Sequence, residues 1–378
     1  MYKVWIGNRE SEILTYNIFD ESITYFGSAK NGNHAFALIN RTPAKYSNEF
    51  KAYVIQKIDS IITSHNDAEF HFYNPMFAHK IISIRPDLAC FFANINDYEL
   101  LKWITSKTFV REWLSNSVDV PPYALLSKDE CKINNLHSLF GNYNEFIIQK
   151  DISGGGEGTY LLTPISEYRV LDSLCYNSLY LVSPCLSPKV SACCHMLIDN
   201  DTTTIFPFGI QSSVITNDKM IYKGTSYSKI SRFNNCVVNS LNEKAFIIGE
   251  RLRNIGYRGI CGLDFIVIEN TVFFIEINAR YLGSSFLINK ALNEQNKISL
   301  FEMNHICFDA KLPLGTLDGL QINYSSKCEK SVSVMNHQEI LELIENKNRG
   351  RSTLFFDGLG NSNTVEKNTY LYREMLIT

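Results

Sequence analysis

The sequence predicts an α/β (α+β) protein built from several packed units. Three features point there. Strand-like and helix-like runs alternate over the first hundred residues, as in a parallel sheet covered by helices. Two strand-like runs at 145–150 and 160–162 flank a glycine-rich break. A third pair, 260–268 and 272–280, reads as a hairpin whose polar residues fall on one face.

Composition sets the outer bounds. At 378 residues the chain is long enough for two or three units with real cores. It is 45% hydrophobic and 20% charged, which suits a folded globular protein. A net charge of −3 offers no basic footprint, so no nucleic-acid partner is expected. Ten cysteines without a C-x-x-C pair argue against zinc ribbons and redox motifs. No signal peptide and no long apolar run stands out, so a cytoplasmic protein with reduced thiols and no membrane contact is expected.

In chain order, Val4-Trp5-Ile6-Gly7-Asn8 reads as a strand and Ala35-Phe36-Ala37-Leu38-Ile39 as another. A helix over 50–64 follows from the spacing of Val54, Ile58, Ile61 and Ile62. Phe70-His71-Phe72-Tyr73 and Leu88-Ala89-Cys90-Phe91-Phe92 are further strands. His71, His79 and Asn94 read as structural residues. One or two helices fill 96–116, and Val118-Asp119-Val120-Pro121-Pro122 ends them.

The break between the next two strands is Ser153-Gly154-Gly155-Gly156-Glu157-Gly158. Four glycines in five residues let backbone N–H groups approach phosphate oxygens closely. It is not a P-loop, because it lacks the Gly-Lys-Ser/Thr ending and runs into a strand. A loose β-turn is the plain alternative. Strands are expected again at 179–182, 190–198, 206–214 and 221–227. His195 and Gln211 would face a cleft, and Lys223-Gly224 would form a loop able to close over it. Cys193 shares a strand face with His195, but no third orienting group completes a nucleophile. A helix over 241–255 carries Ala245, Ile248, Leu252 and Ile255 on one stripe and stops at Gly256.

The hairpin carries the most chemistry. A three-residue loop centred on Asn270 brings Asp264 nearly opposite Glu276, with Asn278 and Arg280 on the same face. Opposed carboxylates repel, and each is costly to bury alone. A divalent cation between them removes both problems, and the hard oxygen donors suit Mg²⁺ or Mn²⁺. Arg280 beside it presents a planar fork for a phosphoryl group. A solvated polar sheet face, with one carboxylate paired to Arg280, fits the hairpin alone. After the hairpin, Gly283 and Ser284 lie in a small-residue turn whose amides could meet an anion. The segment 286–292 reads as a helix. Gly319 to Tyr324, Gln338 to Ile344 and Thr353 to Phe356 are strand and helix pieces.

Gly-Leu-Asp-Phe, a turn, then Phe-Ile-Glu-Ile-Asn-Ala-Arg resembles the metal hairpin of ATP-grasp ligases. Other parts follow in the family's order over about 100–300. Ser106-Lys107 with a Val-Pro-Pro exit is similar to the entry of the ATP-grasp domain, and Lys150 precedes the glycine loop. The resemblance implies an ATP-grasp fold: a parallel α/β domain at 1–100, a small lobe with the loop at 101–185, a large lobe with the hairpin at 186–312, and a C-terminal subdomain at 313–378. It implies ATP and Mg²⁺ (or Mn²⁺) as cofactors. Asp264, Glu276 and Asn278 would hold metal, and Arg280 would be catalytic. Lys107, Lys150 and residues 153–158 would contact phosphates, and Val182, Ser183 and Leu186 would lie at the adenine hinge. The chain departs from many members there, with Ser183 and Lys189 near the positions of two glutamates. His195, Gln211, Lys223, Gly283 and Ser284 would meet substrate. The implied reaction phosphorylates a carboxylate, of an amino acid or peptide, and joins it to an amine with release of ADP and phosphate. Carrier-protein thiol loading, a biotin-type carboxylase and an inactive nucleotide-binding partner are the alternatives. A carrier protein, a peptide or a second copy of the chain would be its macromolecular partners.

Overall fold

The computed structural model describes residues 1–9, 12–13, 18–26, 28–30, 47–153, 158–187, 189–330, 335–336, 338–339, 342–343, 346, 353–357, 364–365 and 370–378. The strand expected at 35–39 and the glycines Gly154, Gly155 and Gly156 lie outside the described residues, as does part of 338–344.

The N-terminal unit is the expected parallel sheet. Strand β1 (Tyr2–Arg9) pairs in parallel with β2 (Glu21–Phe26) on one side. A short strand β3 (Ser28–Lys30) leaves for another sheet. Helix α1 (Asn48–Ser64) is N-capped by Ser47, whose hydroxyl accepts from the Phe50 amide at 3.1 Å, and buries Phe50, Val54, Ile58 and Ile61. Strand β4 (Ala68–Phe72) pairs in parallel with β1 on its other side, and α2 (Pro75–Ile82) follows. The strand expected at 88–92 is instead a 3₁₀ helix, Pro86–Phe91. Pro86 presets its first turn, and Leu88 alone is buried there, a helical and not an alternating pattern. Phe92 keeps one bridge to Phe70.

The stretch after residue 96 resolves into two helices, α3 (Tyr98–Thr105) and α4 (Lys107–Leu114). Ser106 ends the first and caps the second. A small antiparallel sheet follows: β5 (Ala124–Ser127), β6 (Phe146–Lys150), β7 (Thr159–Leu162) and β8 (Leu179–Pro184), in the order β5-β8-β6-β7. Helices α5 (Ile133–Phe140) and α6 (Glu167–Ser173) cover it. Leu136, Phe146, Ile148, Leu162, Tyr180 and Val182 form its core.

A larger antiparallel sheet holds β9 (Val190–Ile198), β10 (Thr203–Ile205), β11 (Gly209–Thr216), β12 (Lys219–Ser226), β13 (Gly259–Ile268) and β14 (Thr271–Asn278). Helix α7 (Asn235–Asn254) begins six residues before the expected start, because Asn234 accepts from the Val237 amide. Helices α8 (Ser285–Glu294) and α9 (Leu300–Asp309) follow the hairpin. The C-terminal strand expected at 319–324 begins only at Tyr324, as β15 (Tyr324–Lys330). Strands β16 (Met335–Asn336), β17 (Thr353–Asp357), β18 (Thr364–Val365) and β19 (Tyr370–Ile377) complete the chain. The large sheet runs β14-β13-β9-β11-β12-β15-β19-β17-β3, so C-terminal and N-terminal segments extend it. Among the described residues, no helix is long and apolar enough to cross a membrane.

The sheet's two faces differ. Cys194, Met196, Leu263, Phe265 and Phe274 pack against α3, α4 and α7 in one core. Leu197 and Ile260 point to the other face, beneath α8 and α9. The rest of that second face carries Asp264 and Glu276.

Lys223-Gly224, expected as a loop, lies within β12. Gly224 has φ +142°, and a Cβ there would overlap the Ser326 carbonyl of the neighbouring β15. Gly224→Ala is therefore expected to cost about 2 kcal/mol or more. Urea denaturation measures it, and a variant of wild-type stability would refute the packing.

Candidate active site

The hairpin reaches the expected pairing by an unexpected route. Its turn has two residues, Glu269 and Asn270, between the pair Ile268–Thr271, and Glu269 rather than Asn270 takes positive φ (+55°). That turn alone would misalign the carboxylates. A bulge corrects the register: Phe265 pairs with Phe274, Asp264 with Glu276, and Ile275 is the extra residue. Glu276 and Asn278 thus share the face of Asp264.

The polar groups there form one network. Asn278 Nδ2 donates to Asp264 Oδ2 at 2.9 Å and to Glu276 Oε1 at 3.4 Å. Gln211 Nε2, from β11, donates to Asp264 Oδ1 at 2.9 Å. Lys107 Nζ, from α4 at the sheet edge, lies 3.2 Å from Glu276 Oε2. Arg280 Nη2 donates to Asn278 Oδ1 at 2.8 Å, and its Nη1 donates to the Tyr281 carbonyl and to the Tyr73 hydroxyl oxygen. Tyr73 brings the N-terminal unit to this point.

The electrostatics are asymmetric. Burial, and then the facing Glu276, raise the Asp264 carboxyl to about 8. Burial pushes Glu276 upward too, but Lys107, the hydrogen bond with Asp264 and Arg280 together outweigh it and hold Glu276 below the ordinary carboxylate range. The two facing carboxylates fit a hard divalent cation, which would relieve their repulsion. The Asn278 amide nitrogen bridges them while its oxygen accepts from Arg280, so Asn278 would have to turn its amide to join as an oxygen donor. Among the described residues no three His, Cys, Asp or Glu side chains gather at one point.

Lys107 also anchors the glycine loop. Its Nζ donates to the Ser153 carbonyl at 3.0 Å and the Ser153 hydroxyl at 3.1 Å. Asp151 Oδ1 accepts from the Thr108 amide and the Ser106 hydroxyl, tying the loop's base to the start of α4. Lys150 is exposed on the last position of β6. Gly158 has φ +73°, and a Cβ there would press on the Lys150 side chain at 2.8 Å. Val182 and Ser183 are buried in β8, and Ser183 Oγ accepts from Arg111 Nη1 at 2.9 Å. Leu186, half-buried, lines a cleft of about 320 Å³ with Tyr143, Cys185, Ile268 and Phe273.

Four residues expected at the substrate are engaged by other parts of the protein. His195 does not face the cleft. It is fully buried beneath α8, shares hydrogen bonds with Ser285 Oγ and the Tyr227 hydroxyl, and is kept neutral by burial, which lowers it to about 3. Lys223 is engaged by Glu329 at 2.8 Å. The Gly283 carbonyl accepts from Arg373 Nη1 at 3.0 Å, and Ser284 is buried, so this turn is tied to the C-terminal strand β19. Gln211 stands at the site. Asp151, Tyr73 and Arg373 carried no sequence signal for the site, and Arg111, one helical turn after Lys107, stood in the Ser106-Lys107 to Val-Pro-Pro stretch without an assigned role.

Residues 104–284 match a family model described as the ATP-grasp domain. The structure resembles carboxyaminoimidazole ribonucleotide synthase from Aspergillus clavatus complexed with ATP, at 13% identity and a TM-score of 0.66, covering 100% of this chain and 94% of that one. It resembles N5-carboxyaminoimidazole synthetase from Staphylococcus aureus at 14% identity and a TM-score of 0.59, covering 100% and 93%. Biotin carboxylase from Campylobacter jejuni shares 12% identity at a TM-score of 0.61, covering 100% and 87%. These likenesses establish a common fold. No curated protein matches the sequence.

Because its folded-state value is raised, Asp264 contributes stability that is full below about 4 and is lost as pH rises through about 8. In chelator, the wild type is expected to lose stability over that window and Asp264→Asn to lose less of it. Mg²⁺ at pH 8 is expected to raise the Tm of the wild type alone. Parallel pH–Tm curves, or an equal Mg²⁺ response, would remove the metal assignment.

Proposed function

Because this chain carries an ATP-grasp domain over residues 104–284, we propose that it is an ATP-dependent carboxylate–amine ligase that releases ADP and phosphate. The observation that carries the reading is the pair Asp264 and Glu276, with Asn278 between them and Arg280 bound to Asn278. Mg²⁺ or Mn²⁺ held by these three donors would neutralise charge on the outer phosphates of ATP. Lys150 would meet the inner phosphates, and Lys107 holds Ser153 at the base of the glycine loop. Arg280 would offset the charge that develops on the γ-phosphoryl group as it moves.

A carboxylate oxygen attacks the γ-phosphorus, and ADP leaves. The amine then attacks the acyl carbon, phosphate leaves, and the nitrogen gives its proton to solvent. No side-chain nucleophile takes part. Cys193, beside Asp264, is buried and its thiol is pushed far up, and His195 stays neutral in the core. The partners in this reading are small molecules. An amino acid or peptide carboxylate meets the same requirement, and a carrier-protein thiol could replace the amine.

Bicarbonate meets the same requirement as an activated carboxylate, and biotin carboxylase is among the folds that the whole chain resembles.

Phosphorus NMR of the nucleotide product is expected to show ADP and phosphate, with hydroxylamine trapping the activated acyl group. Parallel assays with labelled bicarbonate and with pooled amino acids identify the carboxylate. AMP and pyrophosphate as main products would overturn the ligase reading, and no ADP with either substrate set would leave a nucleotide binder.

Lys150→Ala is expected to raise KM for ATP with a smaller change in kcat, because it meets ground-state phosphates. Arg280→Ala is expected to lower kcat about a hundredfold with little change in ATP affinity. Identical profiles for the two variants would show that the roles are not divided this way.

A further inference from the structure

We infer that Arg111 is a positioning residue that sets the spacing between the phosphate-covering lobe and the metal-binding hairpin. The inference rests on the ATP cleft described above. Arg111 lies on α4, and its side chain is only 2% exposed. Its three nitrogens reach three separate elements. Nη1 donates to Ser183 Oγ on β8 at 2.9 Å, and Nη2 donates to Gln149 Oε1 on β6 at 3.2 Å. Nε donates to the Ile275 carbonyl on β14 at 3.4 Å.

Each partner has a place in the cleft. Ile275 is the residue that the hairpin bulge leaves out of register, next to Glu276. Bulges disrupt the ladder locally, so a fixed external donor there holds the bend that aims Glu276. Ser183 occupies the hinge. Gln149 precedes Lys150, and its Nε2 donates to Thr159 Oγ1 at 3.5 Å. That contact joins β6 and β7, the strands flanking the glycine loop.

The division between lobes separates this role from ordinary core satisfaction. Val110 and Leu114 of α4 pack into the core of the large sheet, with Phe265 and Phe274. Ser183 and Gln149 belong to the small sheet. A rigid planar fork therefore spans the joint, where a lysine would offer a point charge on a flexible stem. Burial lowers the guanidinium to about 10, while Glu276 acts to raise it, so it stays charged at neutral pH.

The test reads the coupling between metal and nucleotide, because the hairpin holds one and the small lobe the other. A fluorescent ADP analogue is titrated with and without Mg²⁺ against the wild type, Arg111→Lys, Ser183→Ala, the double variant and Asp264→Asn. Mg²⁺ is expected to tighten binding strongly in the wild type. Arg111→Lys is expected to reduce that gain about tenfold, Ser183→Ala about threefold, and the double variant no more than Arg111→Lys alone. Arg111→Met serves as a harsher variant, and the milder pair keeps the test decisive if it fails to fold. A lowered Tm with an unchanged Mg²⁺ gain, or strictly additive effects, would overturn the inference. If Asp264→Asn keeps the full gain, the metal reading itself fails. If Asp264→Asn loses it and Arg111→Lys does not, only the role of Arg111 fails.

Discussion

Two carboxylates set face to face on one side of a sheet are unfavourable, and the surroundings of Asp264 and Glu276 are organised around that repulsion. Lys107 offsets one charge from the edge of the sheet. Gln211 and Asn278 donate to the other. Arg280 orients Asn278 and is itself held by Tyr73 from the N-terminal unit. Segments far apart in the chain therefore converge on a few ångströms. The arrangement leaves Asp264 raised and Glu276 lowered.

The two faces of the large sheet separate stability from chemistry. One face is buried under α3, α4 and α7 and supplies a continuous apolar core. The opposite face is covered at one end by α8 and α9, and at the other it is left to the small lobe. This coverage explains why His195 and Asp264, on the same face of neighbouring strands, have different fates. His195 lies under α8 with both ring nitrogens engaged, while Asp264 lies beyond the helix. The strand pattern assigns a face, and only the covering helix decides whether a residue there meets a ligand.

The lobes are joined by a bridge between β7 and β12 and, at the site, by polar contacts from α4. Lys107 and Asp151 tie the loop base to the helix, and Arg111 ties the helix to the hinge. Such contacts can be exchanged at modest cost, which suits a lobe that must admit and release nucleotide. On the far side, the C-terminal strands extend the large sheet and place Arg373 against Gly283.

What the sequence determined by itself was local. The alternation of apolar residues marked β1, β6, β9 and the hairpin, and helical spacing marked α1 and α7. The Asp264–Glu276 pairing was legible because it depends on residues a few positions apart, although a bulge rather than a longer turn produces it. The resemblance to the ATP-grasp domain was legible too, because its residue types stand in order along the chain, and residues 104–284 match that domain's family model. The tertiary structure alone decided the rest. Leu88 to Phe92 has strand-like composition but follows Pro86 into a 3₁₀ turn. Arg111 reaches Ile275 across 164 positions, a contact no local period encodes. His195 is enclosed by Ser285 of α8, Lys223 pairs with Glu329 of β15, and the Gly283 carbonyl is held by Arg373 of β19. Periodicity reports which way a side chain points from its own backbone. What it then meets depends on elements distant in sequence, brought together by burial of faces that many different segments could cover.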